Sequence, residues 1–288
     1  MPGAEWGPER DGFDAVKWTV SITPVTFLTV SNKYQPLDTI GGYPLNAGVK
    51  CSSTIARIPT YIEGFDEALE GGIPSGYIVL IAGSPGTMKS TVACNILYNN
   101  VVKRGAKCIY MTLEQSRQSL ETQSLRFGID LGAVRESMHV LDFAVVRRNL
   151  KHLTAEKSWM EVFKMYIGNL KESFPFDFVV IDSLDVLEMA SEIKNKRDEL
   201  FYLFEWLREL NSTILLTCET PAGKLIELGN DVSYLADGII SLYIQDVSDV
   251  EAQRRIRCLK LRSTNHSMDS FTFITEGNRF MAVKAISK

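Results

Sequence analysis

The residues Gly83–Thr91, with the sequence GSPGTMKST, contain almost all of a phosphate-binding loop. Such a loop has a glycine, four residues of any type, and then Gly-Lys-Ser or Gly-Lys-Thr. Its backbone N–H groups surround phosphate oxygens, its lysine adds a positive charge, and its hydroxyl binds Mg²⁺. We therefore expect the loop to bind ATP and Mg²⁺, with Lys89 at the β- and γ-phosphates and Ser90 at the metal. The residues expected to contact ATP are Gly83, Ser84, Pro85, Gly86, Thr87, Met88, Lys89, Ser90 and Thr91.

Met88 departs from this pattern, because glycine normally precedes the lysine. Glycine is needed where φ is positive or where the backbone approaches a ligand closely. Gly83 and Gly86 meet those needs at the start and middle of the loop. At position 88, just before the predicted helix, a non-glycine residue is tolerable if its φ is negative and its side chain points away from the phosphates. The alternative is a decayed loop that binds nothing, and we favour binding because Lys89 and Ser90 are both present.

Three further apolar runs have the composition of strands, and each ends in polar residues that could act on a ligand. These residues are Asp182, Glu114, and Thr217 with Glu219. Asp182 can hold Mg²⁺ through water, or can be an ordinary turn residue. Ligands bind at the carboxyl ends of parallel strands, where Glu114 can orient or deprotonate the attacking water or hydroxyl. The alternative for Glu114 is an acid that merely precedes the next helix. Thr217 and Glu219 are candidate sensors of the γ-phosphate or of Mg²⁺-bound water.

The run CLKLRSTNH carries a second group of basic and polar residues. Lys260 and Arg262 are two residues apart on a predicted strand, so they face the same side. Together with Thr264 and His266 they can bind a phosphate. One alternative is an exposed edge strand, where lysines are common. Another is a nucleic-acid contact, because three arginines lie just upstream at Arg254, Arg255 and Arg257.

The elements that must position these residues are strands alternating with helices. The predicted strands are Tyr77–Ala82, Lys107–Glu114, Phe176–Ser183 and Ser212–Glu219, with helical patterns between them. This alternation predicts an α/β fold with a mostly parallel central sheet and helices on both faces. The last 50 or so residues contain strand patterns with short breaks, including a turn at Glu276–Asn278. We expect them to add antiparallel strands at the C-terminal edge of the sheet.

The length of 288 residues suits one large domain with an extension. Residues 1–53 are rich in Pro, Gly, Thr and Ser, and we interpret them as a poorly ordered or loosely docked N-terminal extension. Residues 54–288 are the predicted nucleotide-binding domain.

Charge and cysteine content limit the partners and the compartment. The net charge of −4 argues against a molecule built as a whole to bind nucleic acid or an anionic membrane. The five cysteines contain no CxxC pair, which argues against zinc and fits a reducing cytosol. No apolar run has membrane-spanning length and the first residues do not have the pattern of a signal peptide, so we expect a cytoplasmic protein.

Five motifs in order resemble the RecA-like P-loop ATPase domains of the KaiC family, over about Ile55 to Val283. They are IEGFDEALEGGIPSGYIVLIAGSPGTMKST, YMTLEQS, FDFVVIDSLDVL, LADGIISL and LKLRSTNHSMDSFTF. The resemblance implies an ATPase that forms hexameric rings with ATP between subunits. By this likeness Lys89, Ser90 and Asp182 bind ATP and Mg²⁺, and Glu114 is the catalytic base.

The same resemblance gives a role to the C-terminal cluster. Lys260 and Arg262 match the pair that reaches the γ-phosphate of the neighbouring subunit's ATP. Thr264 and His266 match family positions in the same segment. Beside Met88, two further departures are Gln115 in place of a second glutamate and Ser263 in place of a common glycine.

Three functions remain as hypotheses. The first is a slow KaiC-like ATPase in a signalling or regulatory ring, which phosphorylates itself or an unidentified protein partner on Ser or Thr. A clock role does not follow, because the chain has one such domain. The second is a RecA- or RadA-type recombinase, against which the nearly neutral segment Thr220–Tyr234 argues. The third is a nucleotide-binding scaffold without catalysis, which Met88 and Gln115 would permit.

Overall fold

The computed structural model describes residues 55–143, 145–146, 159–190, 196–220 and 230–284. The predicted extension 1–53 and its cysteine, Cys51, lie outside the described residues, so the domain division stays a prediction. None of the helices in the described ranges is both long and apolar enough to cross a membrane.

The described residues form strands and helices in alternation over most of the chain. The strands are β1 Arg57–Ile58, β2 Ile73–Pro74, β3 Ile78–Gly83, β4 Cys108–Thr112, β5 Met138–Asp142, β6 Phe178–Asp182, β7 Thr213–Glu219, β8 Gly238–Ser248, β9 Glu251–Leu261, β10 Phe271–Glu276 and β11 Arg279–Lys284. The helices are α1 Lys89–Arg104, α2 Arg117–Leu125, α3 Trp159–Ser173, α4 Leu184–Ala190, α5 Lys196–Glu209 and α6 Asn230–Leu235. A 3-10 turn covers Glu67–Leu69.

The main sheet has the strand order β11-β10-β9-β8-β3-β7-β6-β4-β5. The strands from β8 to β5 in this order are parallel, and β9, β10 and β11 continue it in antiparallel pairing. This confirms the predicted mostly parallel sheet with antiparallel strands at the C-terminal edge. The predicted turn is also confirmed, since Glu276 pairs with Arg279 around Gly277 and Asn278. Strands β1 and β2 form a separate antiparallel pair.

Helices cover both faces of the sheet because its central strands are apolar on both sides. On β3, Val79 and Ile81 pack in one core with Val92 of α1, while Ile78 and Leu80 pack in the other core with α3 and α5. Buried residues throughout a strand are typical of a parallel sheet covered on both faces. The carboxyl end of β3 is thereby fixed between two layers of helices.

The cysteines of the described ranges are buried and unpaired. They are Cys94, Cys108, Cys218 and Cys258. Burial raises the pKa of the Cys94 and Cys258 thiols to about 12, and it raises the pKa of the other two thiols as well.

The beginning of β3 is held by the carboxylate of Asp237, which is 9% exposed. Its Oδ2 accepts from the backbone N–H of Ile78 at 3.1 Å. Its Oδ1 accepts from Arg208 and Arg262, each at 3.1 Å. One carboxylate therefore connects the start of β3 to α5 and to the end of β9.

We expect Asp237→Ala to lower the free energy of unfolding by about 2–3 kcal/mol, because it leaves the buried Ile78 N–H without an acceptor. Urea unfolding measures this change. Asp237→Asn is the control, since its amide oxygen can still accept from Ile78, and it should cost less. A loss below about 0.5 kcal/mol for the alanine variant would contradict this role.

Candidate nucleotide-binding site

The loop Gly83–Thr91 joins the carboxyl end of β3 to α1, as the motif requires. A Cβ at Gly83 would lie 2.3 Å from the carbonyl oxygen of Leu242 and 2.7 Å from Thr87 Oγ1, so only glycine fits there. Gly86 has φ +81°. The buried hydroxyl of Thr87 donates to Ser84 O at 2.7 Å and closes the loop on itself.

Met88 has φ +75° and ψ +28°, so the negative φ that would make a non-glycine residue tolerable here is not observed. The chain passes from the loop into α1 through a left-handed residue, a conformation that glycine adopts without steric cost. Gly83 and Gly86 do not remove that requirement, because it arises at position 88 itself. A non-glycine residue in this conformation costs about 1–2 kcal/mol. The methionine side chain packs against the core beside α1, as expected of one directed away from the loop.

Lys89 and Ser90 begin α1 and direct their polar atoms toward the loop and toward Asp182. Lys89 Nζ donates to Gly83 O at 2.8 Å and to Ser84 O at 3.3 Å, so its positive charge lies against the loop backbone. Ser90 Oγ donates to Asp182 Oδ1 at 3.2 Å. The first turn of α1 contains no acidic residue. The helix N-terminus, Lys89 and the loop N–H groups together favour an anion at this place.

Asp182 is the centre of the hydrogen bonds at the end of β6, and it is 2% exposed. Thr217 Oγ1 donates to its Oδ1 at 2.5 Å, and the hydroxyl of Tyr110 donates to its Oδ2 at 2.6 Å. Burial, followed by the charge of Asp182, raises the pKa of Tyr110 well above its ordinary value. The tyrosine therefore remains a donor at neutral pH. The carboxylate is fixed in orientation by hydroxyl groups from three strands or helices.

The oxygen atoms of Ser90 and Asp182 suit the metal that the motif implies. Mg²⁺ binds proteins through one or two carboxylates and completes its coordination with phosphate oxygens and water. A serine hydroxyl 3.2 Å from a buried carboxylate oxygen supplies hard oxygen ligands beside the loop. The residues present therefore fit Mg²⁺.

Glu114 lies in the turn after β4, and its side chain is exposed. The backbone N–H of Leu113 donates to Asp182 O at 2.7 Å, which brings this turn beside the end of β6. The neighbouring Gln115 is held toward α2, since its Oε1 accepts from Ser119 Oγ at 3.1 Å. Glu219, at the end of β7, is also exposed, and its N–H donates to Asp185 Oδ2 at 2.8 Å.

Lys260 and Arg262 lie at the opposite end of the strands from the loop of their own chain. Lys260 pairs with Ile239 near the start of β8, and the N–H of Arg262 donates to Asp237 O. Lys260 Nζ donates to Ser233 O at 2.9 Å and to Ala236 O at 2.7 Å, at the end of α6. Burial, followed by the charge of Arg262, lowers the pKa of Lys260. The two side chains share one side of the strand, as predicted, but are not beside Lys89.

Thr264 and His266 follow β9 and lie near the small β1–β2 pair. Arg57 donates to Thr264 Oγ1 at 2.5 Å. His266 Nδ1 lies 3.2 Å from Ser267 O, and the N–H of Ser267 donates to Ala68 O at 2.8 Å. The structure therefore does not bring them to the loop Gly83–Thr91 of the same chain.

Sequence reasoning missed two residues that contact the loop or its carboxylate. Arg254, assigned above to a nucleic-acid alternative, donates from Nε to Gly86 O at 3.3 Å. Tyr110 was counted only as part of an apolar strand. The available signal was a hydroxyl-bearing residue inside an otherwise apolar run, but a strand pattern does not identify the partner of that hydroxyl.

Known proteins are similar to this chain in sequence and in fold. A protein-family model described as "ATPase: KaiC" matches residues 58–285. The circadian clock protein KaiC2 of Synechocystis sp. is 29% identical over 229 residues, which are 79% of this chain and 40% of that protein. A UPF0273 protein of Sulfurisphaera tokodaii is 31% identical over 226 residues, which are 74% of this chain and 77% of that protein.

A solved structure supports the same comparison. The crystal structure of a KaiC-like protein from Pyrococcus horikoshii matches with a TM-score of 0.69 and 29% identity, covering 79% of this chain and 99% of that chain. This chain spans less than half the length of the clock proteins that it matches.

The conformation of Met88 yields a prediction about which residues can replace it. We expect Met88→Val to lower the free energy of unfolding by about 1–2 kcal/mol and to weaken ATP binding, because a β-branched residue tolerates a positive φ poorly. Met88→Leu is the matched control, since leucine keeps the size without branching at Cβ. Urea unfolding and ATP titration measure both effects. Equal behaviour of the valine and leucine variants would contradict the steric argument.

Proposed function

This chain belongs to the KaiC family of ATPases, and from that premise we propose that it binds ATP with Mg²⁺ at Gly83–Thr91 and hydrolyses it slowly. We propose a signalling or regulatory role in a ring of identical subunits. The observation that carries the proposal is the buried carboxylate of Asp182, which Ser90, Thr217 and Tyr110 hold beside the loop. A decayed site would not be expected to keep this arrangement.

Each residue has a distinct part in the proposed reaction. Lys89 binds the β- and γ-phosphates, and the loop N–H groups orient them for reaction. Ser90 and Asp182 hold Mg²⁺, which when bound neutralises part of the phosphate charge. Glu114 orients a water and accepts its proton as the water oxygen bonds to the γ-phosphorus and the bond to ADP breaks.

Slow turnover is proposed because the family resemblance has two catalytic glutamates in this turn, whereas this chain has only Glu114, followed by Gln115. Gln115 carries no charge, and its side chain bonds to Ser119 rather than extending freely toward the loop. An amide cannot accept the proton of an attacking water or hydroxyl at neutral pH. Transfer of the phosphate to a Ser or Thr of the chain itself, or of a protein partner, would use the same Glu114.

A ring is proposed because Lys260 and Arg262 are distant from the loop of their own chain. In the family resemblance this pair reaches the γ-phosphate of the next subunit, and its position at the opposite end of the strands from the loop favours that role over one within the chain. The side chain of Arg262 is 53% exposed. Its guanidinium group therefore remains accessible to a neighbouring subunit.

A nucleotide-binding scaffold is the second candidate function, and Gln115 is the observation that favours it. Without a second carboxylate the chain would change its assembly on binding ATP but release little phosphate. The two candidates differ in turnover and not in ATP affinity.

We expect Lys89→Ala to weaken ATP binding by roughly tenfold or more, because it removes a charge-assisted contact with the phosphates. We expect Glu114→Gln to keep ATP affinity and to lower the rate of hydrolysis by about 10²-fold. Calorimetric titration and phosphate release measure the two quantities.

Glu172→Gln is the control for the second variant, since Glu172 is an exposed glutamate on α3 and its loss of charge is the same. Unchanged ATP affinity in Lys89→Ala would refute the proposed site. Equal, negligible hydrolysis in the parent and Glu114→Gln, with ATP still bound, would favour the scaffold. DNA-stimulated turnover would favour a recombinase.

We expect ATP to convert the parent chain into a larger assembly, and Arg262→Ala to reduce that conversion, because the arginine contacts the neighbouring subunit's ATP. Size-exclusion chromatography with light scattering measures the mass with and without ATP. Arg208→Ala is the matched control, since Arg208 makes a bond of the same 3.1 Å length to Asp237 but has no proposed contact with a neighbour. Equal loss of assembly in both variants would contradict the proposal.

A further inference from the structure

The described part of the chain contains a guanidinium group that is buried without an acidic partner. Arg255 on β9 is 8% exposed. One of its terminal nitrogens donates to Thr272 Oγ1, and its Nε has no hydrogen-bond acceptor. Arginine is almost never fully buried unless it is paired, because a buried charge without a counter-charge is costly. Among the described residues, Arg255 therefore has a neutral acceptor, Thr272, but no anionic partner.

Arg257, two residues further along β9, also has a guanidinium nitrogen without a hydrogen-bond acceptor. Its Nε is also buried without an acceptor, and no salt bridge joins it to a carboxylate in the described ranges. Asp269 is the acid that its charge affects, but Asp269 is paired with Lys284 at 2.7 Å. Hydrogen bonds from Lys284 and Ser267 are the main causes of the lowered pKa of Asp269, and Arg257 contributes least.

These two arginines face away from the nucleotide loop. Arg254 reaches Gly86 in that loop, and side chains of successive strand residues point to opposite faces. Ile256 belongs to the core beside α1, whereas Leu259 packs against the core beside α3 and α5. Arg255 and Arg257 therefore lie on the sheet face opposite α1 and its phosphate-binding end.

Hydroxyl groups surround the two arginines on the neighbouring strands. Arg255 pairs with Tyr243 on one side and with Thr272 on the other, and Arg257 pairs with Ser241. The hydroxyl of Tyr243 lies 2.6 Å from Ser270 Oγ, which links β8 to the residue before β10 across β9. The group, here called the β9 arginine site, consists of Ser241, Tyr243, Arg255, Arg257, Ser270 and Thr272.

We propose that the β9 arginine site binds a phosphate oxyanion, either as free inorganic phosphate or as a phosphate monoester. Two guanidinium groups match the charge of a phosphate dianion, and their N–H groups suit its oxygen atoms. A single carboxylate carries half that charge and has two oxygens. It would neutralise the charge of one arginine and leave the other arginine without an anionic partner. The hydroxyl groups supply neutral donors for the remaining phosphate oxygens.

The test uses the full chain with Lys89→Ala, so that the nucleotide loop contributes little to phosphate binding. The melting temperature is measured in increasing inorganic phosphate and, separately, in increasing O-phosphoserine, against chloride at equal ionic strength. We expect a saturable rise in Tm, because a ligand of the folded state stabilises it by mass action. A rise with both ligands indicates that the site accepts monoesters, and a rise with inorganic phosphate alone indicates free phosphate as its ligand.

Arg257→Gln, added to Lys89→Ala, should weaken the phosphate effect by roughly tenfold or more, because a charge-assisted contact is lost. Arg279→Gln is the matched control, since Arg279 is an exposed arginine on β11 that pairs with Glu63. This control should keep the phosphate effect. Because Arg257 is only half-buried, the Arg257→Gln variant still tests the proposal if changes at Arg255 prevent folding.

Arg255→Met distinguishes a ligand site from a charge that is simply badly placed. Removing a buried unpaired charge should raise Tm in chloride, and the further rise in phosphate should disappear. Absence of saturable stabilisation by phosphate or phosphoserine would overturn the proposal, as would stabilisation that Arg257→Gln leaves unchanged. Stabilisation by oligothymidylate alone would overturn it in favour of a nucleic-acid surface. None of these outcomes depends on ATP hydrolysis, so this proposal and the proposed function can fail separately.

Discussion

A buried carboxylate at the end of a central strand is the constraint on which the rest of the site depends. The buried carboxyl group of Asp182 is satisfied inside an apolar sheet because Ser90, Thr217 and Tyr110 direct hydroxyl groups at its two oxygens. Each hydroxyl comes from a different element, so α1, β4, β6 and β7 must be in register for the carboxylate to be satisfied. The strand order and the position of the phosphate-binding loop are therefore coupled through one buried carboxyl group.

The fold was predictable from sequence where apolar runs were long enough to show a period. The runs that became β3, β4, β6 and β7 were recognised because their buried residues are apolar on both sheet faces. The pair β1 and β2 has two residues in each strand, which is too short for any periodicity. The short helices α4 and α6 were missed for the same reason.

The sequence indicated which residue types could form the site, but it indicated less about their positions and backbone conformations. Period-two alternation placed Lys260 and Arg262 on one side of a strand, but their distance from the loop follows from the antiparallel pairing of β9 with β8, which puts Lys260 opposite Ile239 near the start of β8. Met88 and Ser263 each stand where the family resemblance has a glycine, and both have positive φ, +75° and +54°. The backbone thus keeps the conformation that glycine serves although the residue has changed. The presence of Gly83 and Gly86 in the loop could not indicate the positive φ of Met88, because each left-handed position depends on its own local backbone.

The four buried cysteines of the described residues can also report local opening of the structure. A thiol reagent attacks the thiolate, and the high pKa values of Cys94 and Cys258 leave almost none of it in the closed fold. Alkylation then proceeds only when the surrounding segment opens, so its rate counts those openings. Cys94 lies on α1 beside the loop, and Cys258 lies on β9. Peptide mapping of the alkylated chain would therefore compare the local stability of the loop half of the sheet with that of the antiparallel edge.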